Sequence, residues 1–146
     1  MPIREFAEPD LPAVLAIYAD AKLDEFVHEP LSFSLLPLEQ DSERMGYFRA
    51  SEVLVFADAD GVVQGFGARG GQQIRAMFVR RAARGQGVGR QLLEQLLQGM
   101  AGPVGLNVVA SNAGARALYQ RYGFHAVEET LTQYNGTPVT YLSMLR

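Results

Sequence analysis

The stretch that decides the fold is IRAMFVRRAARGQGVGRQLLEQLLQGM, residues 74–100. Its apolar segment Met77–Val79 predicts an extended strand, and apolar residues recurring every three or four positions from Val88 onward predict an amphipathic helix. Between them, Arg84–Gly89 carries three glycines at alternate positions. The first N–H groups of a helix have no intrahelical acceptor, and glycines without Cβ atoms let an anion approach them closely. The stretch therefore predicts a loop that binds a phosphate or pyrophosphate.

The spacing of these glycines excludes two common nucleotide-binding loops. A P-loop needs Lys followed by Ser or Thr after its last glycine, but Arg90 and Gln91 follow Gly89. The dinucleotide pattern G-x-G-x-x-G, begun at Gly85, needs a glycine where Arg90 stands. Neither ATP nor NAD is therefore the expected ligand of this loop.

The pattern that remains, Arg84-x-x-Gly87-x-Gly89, resembles the acetyl-CoA pyrophosphate loop of the GCN5-related N-acetyltransferase (GNAT) superfamily. A second segment, NAGARALYQRYGF at Asn112–Phe124, resembles the superfamily's other signature, Asn-x-x-Ala-x-x-(Phe/Leu)-Tyr-x-x-x-Gly-Phe. The resemblance extends over the whole chain and is to the small bacterial single-domain type. It implies one N-acetyltransferase domain over residues 1–146.

The rest of the chain predicts strands and helices in the order β-α-α-β-β-β-α-β-α-β-β. Strands are predicted at Ile3–Phe6, Val53–Ala57, Val62–Arg69, 73–79, Val104–Ala110, Phe124–Tyr134 and Thr137–Leu145, and helices at 11–25, Leu38–Arg49, from Val88 onward, and 113–122. The strand–helix–strand unit around the glycine loop implies that 104–110 runs parallel to 73–79. We therefore expect an α/β fold of the GNAT type, a central twisted mixed sheet of about seven strands flanked by about four helices.

The resemblance also implies roles for individual residues, with acetyl-CoA as the acetyl donor and no metal. The backbone of Met77–Val79 would pair with the pantetheine arm, and the Val79 N–H would polarise the thioester carbonyl. Tyr119 would be the general acid that protonates the departing CoA thiolate. The residues implied to bind the cofactor are Met77, Phe78, Val79, Arg84, Gly85, Gln86, Gly87, Val88, Gly89, Arg90, Asn112, Ala115 and Tyr119.

The general base is left open, because the superfamily fixes no single position for it. An alkylammonium with a pKa of about 10.4 must lose a proton before it attacks. The candidates in the sequence are Asp24, Glu25, His28 and Glu29. Of these we predict Glu29 or His28 as the possible base. The acidic segment 24–29 and the net charge of −3 favour a cationic amine as acceptor.

The composition agrees with such an enzyme and excludes other classes. A chain of 146 residues with a net charge of −3 can bury one core, and it lacks the overall basicity of a nucleic-acid binder. It has no cysteine and only two histidines, which excludes disulfides and thiolate nucleophiles and leaves no expected metal site. Basic residues do cluster near the glycine loop, and Arg75 and Arg80 are candidates for gripping the 3′-phosphate of CoA.

The expected partners are acetyl-CoA and an amine-bearing small molecule or peptide, with neither nucleic acid nor a membrane, for a monomer or a homodimer. The sequence shows no signal peptide and no apolar run of membrane-spanning length, so a cytoplasmic location is predicted. A second hypothesis is a non-catalytic domain of the same fold that binds acyl-CoA as a sensor or interaction module. The intact Asn112–Tyr119 signature favours the enzyme, because a binder needs no general acid.

Overall fold

The computed structural model describes residues 2–146, which form one mixed sheet of seven strands with four α-helices. The elements are β1 (Ile3–Glu5), α1 (Leu11–Ala21), α2 (Ser42–Arg49), β2 (Glu52–Ala57), β3 (Val63–Gly70), β4 (Gln73–Val79), α3 (Val88–Gln98), β5 (Gly105–Val109), α4 (Ala113–Arg121), β6 (His125–Tyr134) and β7 (Thr137–Leu145). The strand order is β1-β2-β3-β4-β5-β7-β6, and only β4 and β5 are parallel. The predicted element order and fold class are confirmed.

Two predicted helices have different boundaries. The first, predicted over 11–25, ends as an α-helix at Ala21 and continues as a 3-10 turn over Lys22–Phe26. In a 3-10 helix residues three apart lie one above the other, which suits the i,i+3 ion pair of Lys22 and Glu25. The second, predicted from Leu38, begins at Ser42. Asp41 is extended there, and its carboxylate accepts a hydrogen bond from the Arg44 N–H at 3.1 Å, so it caps the helix.

The parallel strands β4 and β5 pair only at their first residues. Gln73 lies opposite Gly105 and Ile74 opposite Leu106, and beyond these two pairs the strands separate. On the other side of β4 the register with β3 shifts by one residue between Ile74 and Ala76, which leaves Arg75 as the extra residue of a β-bulge. A bulge bends its strand and re-aims the side chain it carries. The sheet is therefore open between the C-terminal halves of its two central strands.

The core lies on both faces of this sheet. One cluster of buried side chains joins α1 and α2 to β2 and β3, and a second joins α3 to β5 and β7. Helix α3 lies against β3 at Gly65, where an added Cβ would come within 2.9 Å of the Phe78 carbonyl oxygen and 3.0 Å of Val88 Cγ1. The absence of a side chain at Gly65 thus lets the first turn of α3 lie close to the sheet, and this turn follows the glycine loop directly.

Candidate active site

The glycine loop has the backbone conformation that the sequence predicts. Gly85 and Gly87 have φ angles of 77° and 82°, in the left-handed region that favours glycine. Gly87 is the N-cap residue of α3 and has no side chain to cover the first N–H groups of the helix. A Cβ at Gly85 would meet no atom within 4 Å, so the loop is open on that side. The loop thus offers uncapped donors at the positive end of the α3 dipole.

Two arginines, one in this loop and one in the turn before it, are held by one carboxylate from the turn after α1. Asp24 accepts from Arg84 Nη1 at 2.7 Å and from Arg81 Nε at 2.9 Å. The hydrogen bond from Arg81, followed by that from Arg84, lowers the pKa of Asp24 below its usual value. The Asp24 carboxylate is therefore already paired with these two arginines. This leaves less acidic charge for a cationic acceptor than the sequence of segment 24–29 indicates.

The open edge of β4 carries backbone groups that face the gap. The Arg80 N–H donates to the Gln64 carbonyl at 2.9 Å, so Arg80 and Gln64 are a hydrogen-bonded pair of the antiparallel β3–β4 ladder. Bonded and non-bonded pairs alternate along such a ladder, so the N–H groups of Val79 and Met77 point away from β3. They point to the side of β5, where pairing has already ended. The Val79 carbonyl accepts a hydrogen bond from Arg84 Nε at 3.4 Å, and the Val79 N–H remains available.

Three cavities that share lining residues lie in a row from the glycine loop across this gap. The cradle groove, of about 520 Å³, is lined by the glycine loop, the end of β4 and the start of α4. The central cavity, of about 490 Å³, lies between β4 and β5 and shares Glu25, Asn112 and Ala115 with the cradle groove. The outer cavity, of about 470 Å³, lies against α1 and α2 and shares Arg44, Arg75 and other residues with the central cavity. The three cavities thus adjoin one another in a row, with the β4–β5 gap at its middle.

Tyr119 lines the central cavity from α4. Its ring packs edge-on against Phe124, with 5.9 Å between centroids, and its hydroxyl forms no hydrogen bond within residues 2–146. Burial, followed by the negative charge of Glu25, raises the pKa of Tyr119 far above its ordinary value. The phenol thus stays protonated at neutral pH and has a proton to donate into the cavity. The nearby Tyr122 instead donates to Glu94 at 2.6 Å, outside the three cavities.

The structure separates the candidate bases. His28 is exposed, and Glu29 accepts a hydrogen bond from the Ser111 hydroxyl. Neither residue lines the central cavity, the cradle groove or the outer cavity. Glu25, another candidate in the same segment, lines both the central cavity and the cradle groove. It is therefore the carboxylate of segment 24–29 that lines the same cavity as Tyr119.

Lys22 is a site residue that sequence reasoning did not identify. It is the only lysine of the chain and is 5% exposed, and its ammonium lies 3.0 Å from Glu25 Oε1. Four aromatic rings surround the ammonium at 5.0 to 5.9 Å from their centroids: Tyr18, Phe26, Phe78 and Tyr134. Lys22 lines both the central and the outer cavity. A lone lysine within the helix predicted over 11–25 was the available signal, because such a charge is buried only with a partner.

The arginines proposed for a phosphate lie in different places. Arg80 donates to the Val63 carbonyl at 3.3 Å. Arg75 lines the central and outer cavities and not the cradle groove, which puts it on the opposite side of the gap from the glycine loop. Arg44, from α2, lines the same two cavities and was not identified from the sequence. The cations that line the cavities thus fall into two groups, one at the glycine loop and one around the central and outer cavities.

No group of three or more His, Cys, Asp or Glu side chains within residues 2–146 is arranged to hold a metal ion. None of the helices in the same range has the length and apolar character needed to cross a membrane.

Comparisons with known proteins find relatives along nearly all of the chain. The family model of the acetyltransferase (GNAT) domain matches residues 18–145. The chain is 32% identical over 140 residues to an L-methionine sulfoximine/L-methionine sulfone acetyltransferase of Pseudomonas aeruginosa, covering 84% of this chain and 78% of that protein.

Solved structures share the architecture. A ribosomal-protein-alanine N-acetyltransferase from Brucella melitensis is 27% identical with a TM-score of 0.75, covering 100% of this chain and 99% of that one. The acetyltransferase yncA of Salmonella typhimurium, described as putative and solved with its cofactor acetyl-CoA, is 21% identical with a TM-score of 0.71. That match covers 99% of this chain and 91% of the other, and at this identity it shows the fold alone.

Proposed function

This chain belongs to the acetyltransferase (GNAT) family, and we propose that it transfers the acetyl group of acetyl-CoA to a primary amine by direct attack on the thioester. It is an acetyltransferase; the donor, the acceptor and the roles of the residues are the proposal. The single observation that carries it is the β4–β5 gap, which joins the glycine loop to a cavity containing Tyr119. A pyrophosphate at the loop and a thioester in the gap would lie in two adjoining cavities.

The geometry supports a role for the backbone in binding the donor. The N–H groups of Met77 and Val79 face the gap without a strand partner, and an amide-bearing pantetheine arm satisfies such groups as an added strand does. The first N–H groups of α3 then receive the pyrophosphate. Asn112 and Ala115 close the opposite wall of the same groove.

The transfer itself needs three groups. The amine nitrogen forms a bond to the thioester carbon, whose oxygen gains negative charge and is stabilised by the Val79 N–H. The C–S bond then breaks, and the sulfur takes the proton of the Tyr119 hydroxyl. The proton lost from the attacking nitrogen passes to Glu25, which we propose as the base in place of Glu29 or His28 because it lines the central cavity.

The acceptor is a small molecule, or the lysine or N-terminal amine of a peptide. The Pseudomonas relative is named for L-methionine sulfoximine and L-methionine sulfone, and the Brucella protein for ribosomal-protein alanine. These acceptors are the first to test. The central and outer cavities, of about 490 and 470 Å³, suit a small molecule, since ligand pockets commonly measure about 300–1,000 Å³.

The test is thiol release from acetyl-CoA in the presence of a panel of amines. Tyr119→Phe should lower kcat with little change in the Kd of acetyl-CoA, because the phenyl ring keeps its packing and loses only the proton. Tyr122→Phe is the matched control, since its hydroxyl is bonded to Glu94 outside the cavities. Binding of acetyl-CoA without thiol release for any amine would instead support a non-catalytic acyl-CoA-binding module. Equal turnover of the two variants would remove Tyr119 from the mechanism.

A further inference from the structure

The outer cavity carries positive charge that the protein does not neutralise. Three cationic side chains line it: Lys22, Arg44 and Arg75. Lys22 is paired with Glu25, and Arg44 with Asp41 at 3.0 Å. Arg75 has no ion-pair partner within residues 2–146. Its charge is therefore free to meet an anion that enters the cavity.

Arg75 is nonetheless held in a defined position. It is the bulged residue of β4, and its guanidinium lies directly over Gly70, where an added Cβ would be 2.4 Å from Arg75 Cζ. The guanidinium also lies 5.6 Å from the centroid of the Tyr47 ring, and its Nη1 donates to the Ser51 hydroxyl at 3.2 Å. All these partners are neutral. They hold the guanidinium of this exposed residue beside the cavity without giving it a charged partner.

A second, independent feature of the same cavity is an unused hydrogen-bond donor. Tyr18 is 3% exposed and lines the outer cavity, and its buried hydroxyl has no partner within residues 2–146. A buried hydroxyl without a partner is costly and rare in folded proteins. Burial raises the pKa of Tyr18 far above its ordinary value, so the group is a neutral donor. The Tyr134 hydroxyl and then the positive charge of Arg44 act on this hydroxyl, so both groups lie in its surroundings, and the Tyr134 hydroxyl itself is bonded to the backbone of Leu36.

These groups define the chemistry of the missing ligand. Two guanidinium groups and a phenol are all donors, and carboxylate oxygens are the acceptors that suit them best. Glu43 is the one carboxylate among the residues that line the outer cavity, and it is exposed. A cationic end of a polyamine would meet like charge there.

We propose that the acceptor amine carries a carboxylate, which binds in the outer cavity between Arg75, Arg44 and the Tyr18 hydroxyl and directs the amine through the β4–β5 gap to the thioester. The acceptor class is thus small amino acids. This inference rests on the proposed function, and it replaces the cationic acceptor that the acidic segment of the sequence favours. Arg75 would act on the acceptor and not on CoA.

The experiment compares acids with their uncharged counterparts. Probes are the common L-amino acids, β-alanine and 4-aminobutanoate, each paired with its own carboxamide, and spermidine serves as a polycation. Thiol release gives kcat/KM for each acceptor and KM for acetyl-CoA. The variants are Arg75→Gln and Tyr18→Phe, with Arg121→Gln as the control, because Arg121 is exposed and lines none of the three cavities.

The expected result is a preference for the acid over its carboxamide of about tenfold or more, as expected for a hydrogen bond to a charged group. Arg75→Gln should abolish this preference while KM for acetyl-CoA stays unchanged, and Arg121→Gln should keep it. Equal use of acid and carboxamide by the wild type, or a preference for spermidine, would overturn the proposal.

A binding measurement separates this proposal from the proposed function. The melting temperature is recorded with CoA present, with and without each amino acid. Stabilisation of the wild type but not of Arg75→Gln by an amino acid supports the carboxylate site even if no amine gives thiol release. Absence of stabilisation together with absence of acid preference in turnover contradicts it, whatever the reaction.

Discussion

Replacing Gly65 by alanine tests how closely the start of α3 is seated on the sheet. The new Cβ would lie 2.9 Å from the Phe78 carbonyl oxygen and 3.0 Å from Val88 Cγ1, with Leu92 Cδ1 at 3.2 Å. The first of these atoms belongs to the backbone of β4 and cannot rotate away. Strands β3 and β4 must therefore adjust to each other, and α3 must move outward to relieve Val88 and Leu92; Val88, its first residue, follows the glycine loop directly.

The magnitude follows from two opposing effects. Overpacking of a well-filled site costs about 1–3 kcal/mol. Replacing glycine by alanine also reduces the entropy of the unfolded chain, which returns about 0.4–1 kcal/mol. We expect a net loss of about 1–2 kcal/mol in the free energy of unfolding, read from the urea midpoint and the m-value. If the proposed donor site is correct, acetyl-CoA should also stabilise the variant less than the wild type.

Gly46→Ala is the matched control. Gly46 lies within α2, and a Cβ there meets no atom within 4 Å, so alanine should stabilise the protein by about 0.5–1 kcal/mol. Adding Val88→Ala to Gly65→Ala should recover part of the loss, because it removes one of the crowded atoms. The reasoning fails if Gly65→Ala is as stable as the wild type and binds acetyl-CoA with the same affinity.

Two predictions concern pH. The pKa of Asp24 is lowered by its two arginine partners, so its contribution to stability is present above about pH 4 and is lost as pH falls through the lowered value. Asp24→Asn should therefore lose less stability than the wild type between pH 5 and 3. Burial raises the pKa of Tyr18, and burial followed by the charge of Glu25 raises that of Tyr141 to about 12. Their contributions are full below about pH 10 and are lost as pH rises, by about 1.4 kcal/mol per pH unit for each group. Urea midpoints at pH 8, 10 and 11 should fall less steeply for Tyr141→Phe, and parallel curves would refute the assignment.

The sequence predicts secondary structure and turns correctly where the residues that determine them lie within a few positions of one another. The glycines of the loop, the apolar period of α3 and the Asn135-Gly136 turn each act within a few residues, and all three are found as predicted. The boundaries of α1 and α2 were less accurate, because a 3-10 turn and a capping aspartate depend on which side-chain partners are available.

The site was predictable only where the residues stand in motifs. The pairing of Asp24 with Arg84 spans 60 positions and is invisible to any pattern within a segment. The same holds for the outer cavity, where Tyr18 belongs to α1, Arg44 to α2 and Arg75 to a bulge in β4. Tyr18 fits the apolar period of its helix, so its sequence context gives no sign of a functional hydroxyl. Such groups converge only when the sheet is assembled.

The short pairing of β4 with β5 divides the sheet into two halves that are held together at one end only. Strands β1 to β4 form one half of the sheet and β5 to β7 form the other, and antiparallel pairing holds the strands of each half together. The two halves pair with each other at only two positions, Gln73 with Gly105 and Ile74 with Leu106. A small rotation about these two pairs changes the width of the gap most at its far end, where Val79 lies. Backbone pairing thus constrains the two halves of the sheet least beside Val79, along the gap whose cavity Tyr119 lines from α4.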